Sequence, residues 1–466
     1  MLNKRVKRGA GEPPDLLSPI YGSRSLEGVI PKYELPEGEL PARVAYQLVH
    51  DELNLDGNPA LNMATFVSTW MEPEADDLMR ETLGKNYVDA DEYPQSAELQ
   101  NRCVNILAHL YHAPGDGTSV GCATVGSSEA IHLAGLAMKW RWKKRTEAAG
   151  RSAGAPNIVM GQNVQVCWEK FARYFDVEPR YVPLSEDRFV LGVDEAISMV
   201  DENTIGVVGI LGSTYTGEYE PIKELNDALS AFNERSGLAV PVHVDAASGG
   251  FVAPFLAPDL EWDFRLPLVC SINVSGHKYG LVYPGVGWVI WRDEACLPEE
   301  LIFHVNYLGG DHPTFNLNFS RGAGQIIAQY YNFLRLGRDG YTGIMSALSA
   351  TARRLADAID ATGHFDLFAR GTDLPVVCFA LRGDRPYSVF DLSDALRERG
   401  WIVPAYTLAP NAEHISVMRV VVREGVSQDM ADLLVEDIKR ALERLEAQSV
   451  RPTTARRHRT KTRGVC

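Results

Sequence analysis

Residues 268–280 read LVCSINVSGHKYG: a largely apolar run, Leu268 to Val274, that stops at Ser275-Gly276-His277-Lys278. A largely apolar run of this length suits a buried strand. Upstream, PVHVDAA (241–247) has the same form, with Pro241–Val244 as strand and Asp245 at its end. Further strands are expected at Ile158–Met160, Tyr181–Leu184, Thr204–Leu211 and Val286–Trp291, and helices at Ser128–Arg145, Val166–Phe175 and Pro221–Phe232. Strand–helix alternation of this kind predicts an α/β fold, a mostly parallel sheet wrapped by helices.

The flanks read differently. The first ~45 residues are Pro/Gly-rich and resemble an arm. Helical patterning follows at 46–55, 72–84 and 97–113, and again near 321–336 and 340–362. Strands at 375–381, 402–406 and 415–422, with helices at 388–399 and 427–447, make a smaller α+β unit. The expected organisation is an arm over 1–60, a large domain over 61–345, a small C-terminal domain over 346–450 and a basic tail over 451–466.

Composition narrows the function. Of 466 residues, 45% are hydrophobic and 23% charged, ordinary globular usage. The net charge is −15, but residues 451–466 hold six Arg/Lys and no acid, and residues 1–12 are net positive by three, so the body lies near −24. Such a body argues against nucleic acid as a partner. No apolar run approaches the ~18 residues that span a membrane, and no secretory signal is expected. Seven cysteines, an odd count without CxxC spacing, argue against zinc and disulfides; no metal is expected and a reducing cytoplasm fits.

Three constellations carry chemistry. Lys278 ends a buried strand beside His277 and two small residues, a place suited to a lysine that forms a Schiff base with an aldehyde cofactor; the plainer reading is a lysine snorkelling from a strand end. Asp245 suits an acid that keeps a pyridine ring nitrogen protonated, or else a simple cap. Gly126-Ser127-Ser128-Glu129-Ala130 opens a helix with free amides and two hydroxyls, an anion site fit for a phosphate, or else Ser127 merely caps the helix. Together, in one sheet whose strand ends bind ligands, they describe a pyridoxal-phosphate site.

The sequence resembles the glutamate decarboxylases of the bacterial and plant type, fold-type I pyridoxal-phosphate enzymes, over roughly residues 20–450. The resemblance rests on NMATFVSTW (62–70), EYPQSAEL (92–99), GSSEA (126–130), AMKWRWKKR (137–145), VQVCWEKFARYF (164–175), HVDAASGGFVAPF (243–255), SGHKYG (275–280), GWVIWRDE (287–294), YLGG (307–310) and NFSRGAGQIIAQYYNFLRLG (318–337). It implies a seven-stranded, mostly parallel sheet, L-glutamate as substrate, and 4-aminobutyrate and CO2 as products with uptake of one proton.

It also implies roles. Lys278 is the Schiff-base lysine for pyridoxal 5′-phosphate and Asp245 the pyridinium partner. Ser127, Ser128, Ser275 and His277 contact the phosphate, with His277 also a candidate proton carrier. Gln165 stacks on the ring, or is a surface residue. Thr214 lies near the ring oxygen, and Ser320 reaches a neighbouring subunit's phosphate. Thr65, Phe66, Asn86 and Asp89 line the pocket for the distal carboxylate, and Arg419 binds a substrate carboxylate. Asp89 within VDADE could instead be a solvated face, and Arg419 could pair with a neighbouring acid. A dimer is the expected minimum, built into a hexamer. The tail lacks Trp, Phe, Leu and Ile, so calmodulin is not expected; its one histidine, His458, is eight residues from the end.

Overall fold

The apolar stretches of the central third form one sheet. The computed structural model describes residues 32–115, 119–185, 187–306 and 312–449. Its strands β1 (Val120–Thr124), β2 (Asn157–Gly161), β3 (Glu178–Val182), β4 (Thr204–Ile210), β5 (Val242–Asp245), β6 (Val269–Val274) and β7 (Gly287–Trp291) lie in the order β1-β7-β6-β5-β4-β2-β3. The pairs β2–β3, β2–β4, β4–β5 and β5–β6 are parallel. β7 runs antiparallel to both β1 and β6. Alternation of side chains along each strand splits the core in two. Ile158, Met160, Ile205, Val208 and Ile210 pack with Trp142, Trp168 and Phe171. Val159, Val207, Val242 and Val244 join Leu107, Leu225 and Leu229 in the other cluster.

Helices α1 (Ala42–Leu53), α2 (Pro73–Glu81), α3 (Pro94–Leu110), α4 (Ser127–Ala148), α5 (Val166–Tyr174), α6 (Val193–Ser198), α7 (Ile222–Ser236) and α8 (Ala253–Leu256) accompany this sheet in the chain. A hairpin of β8 (Phe303–Val305) and β9 (His312–Thr314) precedes the long α9 (Gly324–Asp360). Gly337, at φ 55° and ψ −168°, interrupts α9, which is why the sequence pattern reads as two helices. Strands β10 (Phe365–Arg370), β11 (Val376–Leu381), β12 (Ala405–Thr407) and β13 (Ser416–Val421) form a second, antiparallel sheet in the order β10-β11-β13-β12. Helices α10 (Val389–Arg397) and α11 (Gln428–Ser449) complete that part.

The chain divides after Pro59 into two compact units. In the first, α1 buries none of its residues, and Tyr46, Val49 and Leu53 are exposed. The second holds both sheets. The tail 451–466 with His458, most of the arm and YLGG lie outside the described residues. Among the described residues no helix is long and apolar enough to cross a membrane, and no His/Cys/Asp/Glu group could hold a metal ion.

Two strands were not legible. β1 (VGCAT) is short and rich in small residues, and β10 (FDLFAR) is only partly buried, so neither shows an apolar run. β3 begins three residues before and ends two residues before the expected Tyr181–Leu184. The direction of β1 matters most. Antiparallel to β7, which is antiparallel to β6, it points the same way as β5 and β6. Thr124, Asp245 and Val274 therefore end on one edge of the sheet, where ligands bind in such folds.

Candidate functional site

Asp245 closes β5 on that edge, 5% exposed, with its carboxylate ordered by three donors. Trp168 Nε1 donates to Oδ2 at 2.9 Å, Asn273 Nδ2 to Oδ1 at 3.0 Å and the Ala247 amide to Oδ1 at 3.1 Å. On the adjacent strand Lys278 follows β6 by four residues. Its Nζ donates to Ser248 Oγ at 3.1 Å and lies 5.3 Å from the centre of the Phe66 ring. Burial lowers the lysine pKa, the Asp245 charge opposing it. A lysine held closer to its neutral form is the nucleophile an aldehyde needs.

The turn after β1 faces this pair. Gly126 sits at φ 154°, with no side chain capping α4, so Ser127 is the first helical residue rather than a cap. A Cβ on Gly126 would lie 3.1 Å from His277 Cε1, and one on Gly287 only 2.5 Å from the Gly126 carbonyl carbon. The two glycines let the turn lie flat against β7 and the histidine. Ser127 Oγ and Ser275 Oγ, both buried, are 2.7 Å apart, while Ser128 is exposed at the helix start. The first-turn amides of α4 have no acceptor within the helix. His277 Nδ1 is buried without a partner, and burial first, then the Lys278 charge, push its pKa down to about 4. Free amides, paired hydroxyls and an unpartnered imidazole nitrogen around one spot fit a phosphate. With Lys278 and Asp245, the set fits a phosphorylated pyridine aldehyde.

Arg419 rises from β13 into the same region, 8% exposed. Its guanidinium donates to the carbonyl oxygens of Thr214 and Ala64, stacks 4.8 Å from the Phe66 ring and 5.6 Å from the Tyr406 ring, and leaves Nε buried and unpartnered. Ala64, Thr65 and Phe66 thus stand between Arg419 and Lys278; Thr65 Oγ1 accepts from the Val67 amide at 3.0 Å, and the Ser68 amide donates to the His277 carbonyl at 2.8 Å. Among the described residues no acid pairs with Arg419: its hydrogen bonds go to backbone carbonyls.

The remaining candidates make their hydrogen bonds to other groups. Asn86 Nδ2 donates to Asp89 Oδ1 at 3.2 Å and Ser320 Oγ at 3.5 Å, and its Oδ1 accepts the Arg321 amide at 3.1 Å. Asn86, Asp89 and Ser320 form a half-exposed cluster whose hydrogen bonds do not reach Lys278, Asp245 or Arg419. Gln165 is exposed and caps α5, its Oε1 accepting the Cys167 amide at 2.7 Å.

Sequence reasoning missed several groups. Trp168 and Asn273 hold Asp245, and His243 bonds Ser271 Oγ through Nδ1 and Asn273 Oδ1 through Nε2, each at 2.8 Å. Ser248 receives Lys278. Glu129, buried at the third residue of α4, accepts three backbone amides. A polar residue inside an otherwise apolar run, as with His243 and Asn273, was the available signal; for Trp168 there was none.

Residues 32–382 match the family described as the pyridoxal-dependent decarboxylase conserved domain. Among curated proteins, the glutamate decarboxylase of Solanum lycopersicum is 58% identical over 93% of this chain and 87% of its own length. Glutamate decarboxylase beta of Listeria innocua is 51% identical over 92% and 93%. Among solved structures, the Lactobacillus brevis glutamate decarboxylase superposes with a TM-score of 0.89 at 49% identity, covering 93% of this chain and 99% of that one. The Catharanthus roseus tryptophan decarboxylase, 17% identical over 92% of each chain with a TM-score of 0.73, shares the fold.

Proposed function

The chain belongs to the pyridoxal-dependent decarboxylase family, and within it we propose that the enzyme converts L-glutamate to 4-aminobutyrate and CO2, taking up one proton per turnover. The observation that carries the reading is the placement of Lys278 and Asp245 at the ends of adjacent parallel strands, beside a turn with free amides and paired hydroxyls. The glutamate specificity is supported by relatives that share half or more of their residues with the chain. The enzyme uses pyridoxal 5′-phosphate. When bound, that group supplies an electron-poor ring that accepts the electron pair of a bond broken at Cα.

The protein's part is binding, orientation and proton handling. Ser127, Ser128, Ser275, His277 and the first-turn amides of α4 would hold the phosphate. Asp245, fixed by Trp168, Asn273 and Ala247, would place a negative charge against the ring nitrogen. Lys278 Nζ would provide the carbonyl-reactive amine and then carry the proton delivered to Cα, with His277 as a neutral neighbour. Arg419, Thr65 and Phe66 would fix the substrate's carboxylates and so select which bond is held in line with the ring orbitals. Ser320 and Asp89 are assigned to a site shared with a second copy of the chain, and Asn86 to the distal-carboxylate pocket, so the working unit is a dimer or a larger assembly of dimers, placed in the cytoplasm. Calmodulin is not part of the reading. In the same reading, residues 61–345 are the cofactor domain and 346–450 the small domain.

The test is release of 4-aminobutyrate from glutamate across pH, with Lys278→Ala alongside. Turnover of tyrosine or aspartate with none on glutamate overturns the substrate. A purified protein that binds no pyridoxal phosphate, judged by absorbance, overturns the chemistry.

A further inference from the structure

A carboxylate in the first turn of α4 is an expensive neighbour for a phosphate. Glu129 is the third residue of that helix and 5% exposed, close to the turn assigned to the cofactor phosphate. Its charge would repel the anion unless spent elsewhere. It is spent on three backbone amides. Oε2 accepts Val125 N at 2.8 Å, inside the turn between β1 and α4. Oε1 accepts Leu317 N at 3.0 Å and Asn318 N at 3.1 Å, nearly two hundred residues away. A Glu at this helix position ordinarily reaches back only to its own cap; this one ties a second segment to it.

That second segment carries Ser320. Leu317, Asn318, Phe319 and Ser320 are all exposed, so the strip presents side chains outward while its amides are pinned inward. Asn316 anchors it further, Nδ2 donating to the Ala123 carbonyl at 2.9 Å and Oδ1 accepting Arg321 Nη2 at 3.1 Å. On its far side the Tyr87 amide donates to the Arg321 carbonyl at 2.7 Å, and the Arg321 amide to Asn86 Oδ1. Asn86, Ser320 and the phosphate-binding turn are thus one hydrogen-bonded unit, with Glu129 at its junction.

We propose that Glu129 is a positioning residue that couples two cofactor sites: it fixes the strip bearing Ser320 to the phosphate turn of its own subunit, so the group offered to the neighbour's cofactor depends on this subunit's carboxylate. The proposal rests on the reading that Ser320 serves a second copy. The cofactor's own charge plays no part in the tie, since Glu129 acts through amides of the protein.

Hybrid oligomers separate the two. A tagged wild-type subunit is co-expressed with a large excess of a subunit whose lysine is removed by Lys278→Ala, so that each tagged subunit has a lysine-less partner. Pyridoxal phosphate is titrated into the stripped hybrids, following only the visible absorbance that requires Lys278. With Glu129→Gln added to the lysine-less subunit, the cofactor dissociation constant at the wild-type subunit rises about tenfold, the size expected when a buried charge-assisted hydrogen bond is lost. A Ser320→Ala substitution on the lysine-less subunit raises it as well. An unchanged constant with Glu129→Gln, while Ser320→Ala raises it, overturns the coupling and leaves the shared-site reading intact. An unchanged constant with Ser320→Ala removes the shared-site reading and the proposal with it. If the Glu129→Gln subunit does not assemble, Asn316→Ala on the lysine-less subunit loosens the same strip from its other tie. It is expected to raise the constant about threefold, and no change there also overturns the proposal.

Discussion

The hydroxyls of Ser127 and Ser275 lie 2.7 Å apart although 148 residues separate them in the chain. One opens α4 and the other follows β6, so the pair joins the phosphate turn to the strand that leads to the lysine. Buried hydroxyls bonded to each other leave one donor proton and three acceptor sites between them. A phosphate arriving at the turn can accept that remaining donor.

Because the two hydroxyls act as one group, their substitutions should not add. Ser127→Ala and Ser275→Ala are each expected to weaken pyridoxal-phosphate binding about tenfold, and the double variant by well under a hundredfold. Absorbance titration of stripped protein measures all three. Strictly multiplicative losses would mean the hydroxyls contact the phosphate independently.

Lys278→Ala removes the amine, and turnover is expected to fall by at least ~10³, the range seen when a covalent catalytic group is lost. Lys278→Arg should fare no better, because a guanidinium stays charged at any working pH. The readout is 4-aminobutyrate released per enzyme. Retention of a tenth of normal turnover by either variant would take the lysine out of the chemistry.

Arg419 spans two backbone carbonyls, those of Thr214 and Ala64. Arg419→Lys keeps the charge but cannot bridge both oxygens and a substrate carboxylate at once. KM for glutamate should rise by roughly tenfold or more. A melting curve run alongside separates lost binding from lost folding: the prediction fails if KM is unchanged in a variant that melts at the wild-type temperature.

How much of this was readable from the chain varied by element, for physical reasons. Thr204–Leu211, with both faces covered, had to be apolar throughout, and such a run announces itself. Asp245 and Lys278 stood out as charges terminating runs of that kind. β1 did not, because Gly121 must clear the Val289 carbonyl, where an added Cβ would come within 2.6 Å, and small residues carry no strand signature. Partnerships across the fold were hidden for another reason. Trp168 reads as one more apolar residue of α5, and the fold brings its indole to Asp245 through the pairing of β2 with β4 and of β4 with β5. Glu129 looks like a routine first-turn acid until the strip at 317–318 is laid against it. Arg419 was readable as a candidate, while the sequence alone left open whether an acid neutralised it.

The last prediction concerns His243, two residues before Asp245 and fully buried. Its Nε2 lies 2.8 Å from Asn273 Oδ1, and Asn273 Nδ2 donates to Asp245, so the amide oxygen is an acceptor and Nε2 carries the ring proton. Nδ1 then accepts from the Ser271 hydroxyl. Burial pushes the histidine down to about 4, the charge of Asp245 opposing it. In the unfolded chain a histidine titrates near ~6.5. Between those values the unfolded chain binds a proton that the folded protein refuses. The stability contributed by the neutral ring is therefore complete above pH ~6.5 and is lost as pH falls toward 4, on the order of 3 kcal/mol at the limit. His277, also pushed down to about 4, adds a loss of the same sign. His243→Gln keeps a polar group for Asn273 or Ser271 but has nothing to titrate. It should melt below the wild type at pH 7, and the gap should narrow steadily from pH 6.5 to 4.5 while the His277 contribution stays in both. Thermal melts of the two proteins, stripped of cofactor and run in matched buffers, decide it: parallel curves across that window would show that the folded protein does not hold His243 neutral.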